Sequence, residues 1–538
     1  MRSRSNTIPH FHLTSPFEDE IFRHSVSQVE VRAEAQQDLN SLAKTFVDPG
    51  VTDQLENDNS QIIYGRRGTG KTHILKFLEQ GLGQLRGEGR FAIYVDMRTL
   101  GSASLNVEDS RELHVRATSV LRDVLERIHY ELLSYITEPE QNVAADAIDA
   151  LNDFANSMQR TILEDEELQT EDTDGDTSER SRGWSLGLSS GGISAGASSG
   201  RGSKLEKQTK VARSGRPQHA LYYQDVGLTL NTVLDKCNIK HLTLLLDEWT
   251  AVPLMIQPLL ADYLRRCFLV HPRICLKIAS IRHRSQFQAR IGQNLVGFEV
   301  GADIAATLEL DEYLVFELDR ARVKRLFAEL LHRHISIETS RQASMEGYLS
   351  RAYEVNNAED VVNILFTGDR AFTELVRAGE GVPRDFINIF SKAFFRTATD
   401  GEREIDAGAV RIAASEWFGI DKADNLDQDH DEFLTLIVRH VVGRSGLTSF
   451  AIPRRRERHR LIRELVDLRL LHLVRRNWMR DHADPGERCS VFRVDYGSYA
   501  PLMGTKRAPR LWSPNTGSIQ LPLIDEFFDH LPDIQDRS

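Results

Sequence analysis

One short run constrains this chain more than any other feature: Gly65-Arg66-Arg67-Gly68-Thr69-Gly70-Lys71-Thr72. It matches G-x-x-x-x-G-K-[ST] in full, the Walker A pattern. The chemistry explains each residue type. Glycines let the backbone fold tightly and turn its N–H groups toward phosphate oxygens, and a helix starting at Lys71 adds its positive N-terminal end. Lys71 would reach the β- and γ-phosphates, and Thr72 would ligate Mg²⁺. The context agrees, with a short apolar strand (QIIY) before the run and a helical stretch (HILKFLEQ) after it. The expected ligand is ATP with Mg²⁺, cradled by Gly65, Arg66, Arg67, Gly68, Thr69, Gly70, Lys71 and Thr72.

Hydrolysis needs acids near that cradle. The segment LTLLLDEW (242–249) reads as a buried strand ending in Asp247 and Glu248. In phosphate-loop enzymes such an acid holds Mg²⁺, and a water-positioning residue orients the nucleophile. Asp247 is assigned to the metal and Glu248 to the water. An intact Glu248 favours turnover over passive binding, so the chain is read as an ATPase.

The strands FAIYVDM (91–97), HLTLLLDEWT, ICLKIASI (274–281) and ATLEL (306–310) alternate with helical stretches. That alternation predicts an α/β fold, a parallel sheet with helices on both faces. Residues 1–25 read as a flexible leader and 26–317 as the ATPase domain. Within it, 164–218 turn acidic and then Ser/Gly-rich, which predicts a disordered insert, although WSLGLSSGGISAG also permits a hairpin. Residues 318–422 are helical only.

Composition narrows the class. At 41% hydrophobic and 27% charged residues the chain has an ordinary globular balance. It shows no apolar run long enough for a membrane span and no apolar signal-peptide core. Cys237, Cys267, Cys275 and Cys489 are too scattered for a disulfide framework or a zinc site, which fits reduced thiols and a cytoplasmic location. A net charge of −12 argues against a wholly basic nucleic-acid coat.

With these motifs placed, the chain resembles an AAA+ ATPase. It is most similar to the origin-recognition and initiator class and its uncharacterised bacterial relatives, over roughly 30–505 without the insert. The resemblance implies that ICLKIASI is the sensor-1 strand, with Ser280 at its end facing the γ-phosphate or the attacking water and Arg282 just after. It implies that Gly381-Val382-Pro383-Arg384-Asp385 is the sensor-2 motif of a helical lid, with Arg384 reaching back to the γ-phosphate. An arginine finger would act on a neighbouring subunit, and Arg265 and Arg266 are its candidates. Arg66 and Arg67 are unusual inside the loop and are read as touching phosphate or a partner.

Residues 428–505 resemble a winged helix. DEFLTLIVRHVV is an amphipathic helix, RRRERHRLIRELVDLRLL a second and strongly basic one, and LHLVRRN and CSVFRVDYG pair as wing strands. Arg454, Arg455, Arg456, Arg458, Arg460, Arg475 and Arg476 form a basic footprint suited to phosphate backbones of duplex DNA. The same face also suits an acidic protein surface. The acidic tail, 506–538, either packs on the body or binds a partner. Two functions remain open. One is an initiator-like switch coupling ATP to homo-oligomer or partner-protein assembly and DNA engagement. The other is an ATPase regulator or adaptor in a bacterial signalling or phage-defence system, whose winged helix binds protein.

Overall fold

The computed structural model describes residues 15–29, 39–101, 112–139, 143–158, 161–168, 213–219, 221–337, 342, 344–424, 426–479, 488–512, 520–525 and 528. The strands are β1 (Gln61–Tyr64), β2 (Arg90–Asp96), β3 (Thr161–Leu168), β4 (Arg213–His219), β5 (His241–Asp247), β6 (Ile274–Ser280), β7 (Gln288–Ile291), β8 (Asn294–Gly297), β9 (Ala306–Glu309), β10 (Ser449–Pro453), β11 (Leu471–Trp478) and β12 (Cys489–Val494). The first nine helices are α1 (Glu20–Ser27), α2 (Leu39–Thr45), α3 (Thr52–Leu55), α4 (Lys71–Gln84), α5 (Leu113–Thr137), α6 (Ala147–Ser157), α7 (Tyr223–Lys236), α8 (Gln257–Leu264) and α9 (Leu310–Tyr313). The remainder are α10 (Arg320–Ile335), α11 (Met345–Tyr353), α12 (Ala358–Leu365), α13 (Asp369–Ala378), α14 (Pro383–Asp400), α15 (Ala407–Glu416), α16 (Gln428–Val438) and α17 (Arg460–Asp467).

The expected parallel sheet is present, in the order β2-β5-β6-β1-β9, and every pairing in it is parallel. Successive side chains along a strand point to opposite faces. Ile62 and Tyr64 of β1, Leu242, Leu244 and Leu246 of β5, and Ile274, Leu276 and Ile278 of β6 therefore pack on α5 to α8. Ile63, Leu245 and Ala279 pack on the other side with Phe46, Leu55, Ile74, Leu75 and Leu78. Strands buried on both faces read as continuous apolar runs, which is why they were legible. β7 and β8 make an antiparallel hairpin beyond β6 that the sequence reading lacked.

Two readings of the organisation need correction. The leader is not loose over its whole length: α1 docks on the helical region. Asp19 caps α1 through Ile21 N (2.7 Å) and Phe22 N (3.3 Å) and accepts from the Tyr353 hydroxyl (2.5 Å). Phe17 and Phe22 are buried, with rings 4.6 and 5.9 Å from that of Phe394. Residues 1–14 lie outside the described residues. The insert is also not disordered from its first residue. Its flanks, β3 and β4, pair antiparallel, and residues 169–212 lie outside the described residues.

The helices α10 to α15 share one core, joined by Phe22 and Val26 of α1 and by Phe17 just before it. After α16 comes an antiparallel sheet ordered β10-β12-β11, with α17 between β10 and β11. The long basic helix expected from Arg454 is corrected to α17 alone. Pro453 ends β10, and Arg454–Arg456 form a single 3₁₀ turn. Arg469, at φ 61°, closes α17 and turns the chain into β11. The tail packs on the body where it is described: Ala451 N donates to Pro522 O (2.9 Å), and Ile524 and Phe528 join the core with Phe433. Among the described residues no helix is long and apolar enough to cross a membrane. All four cysteines are buried, and none of them forms a disulfide.

His334, buried on α10, donates Nδ1–H to Leu330 O (2.8 Å). Burial pushes its pKa down to about 4, against the rise that this bond gives. The folded state thus keeps the ring neutral while the unfolded chain binds a proton below its ordinary 6.5. Its contribution is fully present above that value and falls away between there and about 4, by up to roughly 3 kcal/mol. Urea unfolding from about pH 7 to about pH 4 should show wild type losing more stability than His334→Met. Parallel losses would remove this account.

Candidate nucleotide-binding site

Parallel pairing brings the ends of β1, β5 and β6 to one edge. Tyr64 is level with Ser280 on one side and Glu309 on the other, and Gly65 N donates to Ser280 O (3.2 Å). The loop then turns through Gly68 (φ 81°) and Gly70 (φ 93°), a conformation that costs glycine no Cβ clash. α4 begins at Lys71, so its unpaired N–H groups point into the loop. Lys71 Nζ donates to Gly65 O (2.8 Å) and Arg66 O (2.9 Å), which fixes the ammonium inside the turn. Burial pulls its pKa down. Glu248, Asp247 and Asp311 oppose that, in this order, and Arg384 adds to it. The ammonium therefore sits within electrostatic reach of both strand-end acids and of Arg384. Thr69 and Thr72 are buried beside it.

Asp247 is fully buried at the end of β5. It accepts from the Tyr94 hydroxyl (2.7 Å) and from Glu248 N (2.8 Å). Burial first, and then the Asp247 charge, push the Tyr94 phenol pKa well up, so it stays a donor. Glu248 has φ 52°, a left-handed conformation costing a non-glycine residue about 1–3 kcal/mol. The next side chain, Trp249, is fully buried and stacks on Phe287 (5.1 Å), which holds the turn in place. Thr72 and Asp247 are the residues that could hold Mg²⁺. The glycine turns, the buried ammonium and the helix start suit a triphosphate.

The remaining candidates divide. Arg384 packs on the loop: its N–H donates to Gly68 O (3.4 Å), and a Cβ added at Gly68 would lie 2.8 Å from Arg384 Cβ. Ser280 is buried at the end of β6 with its hydroxyl bonded to Ser285. Arg282 pairs with Glu309 and lies 4.0 Å over the Tyr64 ring. Arg265 and Arg266 both bind buried Asp262 of α8, at 2.7 and 2.6 Å, so the two candidate finger residues are held by their own chain. Arg67 is exposed.

Arg66 differs from expectation. Its side chain leaves the loop and is buried, with Nε 3.0 Å from Asp311 Oδ1, Nη2 donating to Glu380 O (3.1 Å) and Nη1 bonded to His472 Nδ1 of β11. Its backbone N–H also donates to the Asp311 carboxylate (3.2 Å). The cradle reading of Arg66 is thus corrected: its N–H and guanidinium are engaged by Asp311, Glu380 and His472, and its carbonyl accepts from Lys71. Asp311, Tyr94 and His472 were missed by the sequence reading. Asp311 had a signal: LELDEY repeats the strand-then-acids pattern of LLLDEW.

The C-terminal arginines do not form one free face. Arg455 and Arg456 pair with Asp525 of the tail, Arg456 at 3.2 Å. Arg460 lies 3.5 Å from Asp429, and Arg476 lies 3.6 Å from Glu457. Arg454 reaches Asn477 at 3.5 Å, and Arg458 and Arg475 are exposed.

Residues 30–177 match a family model described as ORC-CDC6-like. The resemblance to the origin-recognition and initiator class of AAA+ proteins stands on that match. No curated protein matches. Among solved structures, the ORC2 protein of Aeropyrum pernix, in ADPNP-ADP complexes, is 14% identical with a TM-score of 0.33, covering 85% of this chain and 88% of that one. Cdc6p of Pyrobaculum aerophilum is 11% identical with a TM-score of 0.28, covering 88% and 93%. Drosophila ORC bound to DNA is 10% identical with a TM-score of 0.28, covering 93% and 95%.

Gly68 offers a direct check on the contact between loop and lid. Alanine there must adopt a positive φ and push on Arg384 and Val382. Gly68→Ala should lower stability by about 1–3 kcal/mol and weaken ATP binding, read by calorimetry. Wild-type affinity in the variant would show that the loop does not need this fit.

Proposed function

We propose that this chain, which resembles the origin-recognition and initiator class over residues 30–177, is an ATP-hydrolysing AAA+ switch that couples nucleotide state to assembly and to DNA engagement. The observation that carries the reading is the convergence of Lys71, Asp247, Glu248 and Arg384 on one loop between the sheet and the helical lid.

In this reading ATP is the substrate, and Mg²⁺ would supply charge neutralisation at its phosphates, held by Thr72 and Asp247. Loop amides and the start of α4 orient the triphosphate. Lys71, already placed by Gly65 O and Arg66 O, faces the terminal phosphates. Glu248, set off its strand by its left-handed turn, orients the attacking water and takes up its proton. Tyr94 keeps Asp247 aimed at the site. Arg384, at the start of α14, binds the terminal phosphate from the lid side. When that phosphate leaves, Arg384 loses its partner and the contact between lid and loop at Gly68 is free to change. Arg265 and Arg266 act as fingers on a neighbour only if they exchange Asp262 for its nucleotide. Residues 428–505 serve as a winged helix, offering Arg454, Arg458 and Arg475 to phosphate backbones, and Arg455 and Arg456 when the tail is displaced.

Turnover by the purified chain, with and without duplex DNA, tests this. Lys71→Ala should abolish binding of a fluorescent ATP analogue. Glu248→Gln should keep binding and lose about 100-fold or more in rate. Arg458→Glu with Arg475→Glu should weaken DNA retention and flatten its salt dependence. Turnover that survives both active-site variants overturns the enzyme reading. A flat salt response in wild type overturns the DNA reading.

A further inference from the structure

A closed ring of buried polar contacts begins and ends in the phosphate loop. It leaves by the Arg66 side chain, only 4% exposed, which meets His472 of β11. A guanidinium cannot accept a hydrogen bond, so His472 Nδ1 is the acceptor and Nε2 carries the proton. Nε2–H then donates to Asp495 Oδ2 (2.9 Å). Asp495 takes Lys422 Nζ (2.6 Å), and Lys422 reaches Asp385 Oδ2 (2.9 Å). Asp385 also pairs with Arg469 and is the residue after Arg384, whose N–H returns to the loop at Gly68 O (3.4 Å).

The ring is drawn from the loop, the first turn of α14, Lys422 between α15 and α16, and the C-terminal unit built of β10 to β12 and α17. Its charges balance. Arg66, Lys422 and Arg469 stand against Asp311, Asp385 and Asp495, with a neutral His472 between. Burial pushes the His472 pKa down to about 4, which keeps it neutral. Burial would raise Asp495, but Lys422 and His472 hold its carboxyl at about 2. Removing one member strands a buried charge, which costs far more than the pair contributes. Loss of one member therefore weakens its neighbours, and contiguous networks of hydrogen bonds and ion pairs can carry coupling between sites.

We propose that Arg66 and His472 are a positioning pair that makes ATP affinity of the loop depend on the docked C-terminal unit, and, by reciprocity, reports bound ATP to that unit. The proposal rests on ATP binding at this loop. Neither residue touches the reacting atoms. Arg66 fixes the carbonyl that caps Lys71, and His472 fixes Arg66. A partner of the C-terminal unit that shifts β11 would thereby change the nucleotide site at a distance.

The test uses the full chain and a fluorescent ATP analogue. His472→Phe should weaken affinity about 10-fold, within the usual range of coupling between sites. His472→Gln, which keeps an acceptor for Arg66 and a donor for Asp495, should restore most of it. Arg66→Met with His472→Phe should be no weaker than either single variant. Hydrogen exchange of wild type should slow in 471–478 and 489–494 when ATP is added, a readout that does not depend on any variant folding. Failure of wild type to bind ATP defeats the functional reading itself. ATP binding with unchanged exchange in both strands, or His472→Phe and Arg66→Met effects that simply add, defeats the coupling and leaves the ATPase reading intact.

Discussion

In a parallel sheet every strand leaves by the same edge, and the crossovers that parallel pairing demands keep the other edge for entry. Here that rule gathers residues far apart in sequence. Tyr64, Ser280 and Glu309 share one register line, and Asp247 ends the neighbouring strand on the same side. Loop, strand-end acids and α9 follow from this shared exit. A shift of one residue in any of these pairings would exchange the side chains fitted to the core under α5 to α8 with those fitted to the opposite core, so packing on both sides of the sheet holds the site's register.

Above that edge the structure depends on charges out of water. Arg66, Asp311, Asp385, Lys422, Arg469 and Asp495 join segments far apart in the sequence. Arg493 adds a second anchor beside them, paired with Glu317 at 2.7 Å and Glu380 at 3.1 Å. Apolar contact is non-directional and tolerates sliding. Buried ion pairs do not, because a small displacement leaves a charge without its partner. His283 and Arg284, just past β6 and more exposed, both hold the buried Asp467 of α17. The C-terminal unit is thus keyed to both the loop and the sheet.

Legibility in the sequence followed the physics of each feature. The turn at residues 65–72, the start of α4 and the placing of Asp247-Glu248 at the end of β5 could be read because backbone geometry and strand burial act locally and demand fixed residue types. Arg384 could be placed from a short motif, and the structure puts it against Gly68. The roles of Arg66, His472 and Lys422 could not be read, because a buried ion pair leaves no periodicity in either partner's neighbourhood. β10 was missed, and α17 was read too long, for a related reason. Arg454 to Arg460 looked helical by composition, while Pro453 and the left-handed Arg469 decided the boundaries. The leader was misread because few apolar residues, Phe17, Phe22 and Val26, suffice when a ready-made lid surface receives them.

That last docking has a bearing on how the chain is made. Ser25 donates to Ile335 O, and Asp19 is held by Tyr348 and Tyr353. During synthesis α1 emerges long before α14, so its apolar side must wait for Phe394. The sheet waits too, since β1 sits between β6 and β9, which are made long after it. Such long-range closure slows folding and leaves apolar surface uncovered on the ribosome. Residues 65–72 are translated early, yet two of the groups that hold the Arg66 side chain, Glu380 and His472, are made more than 300 residues later.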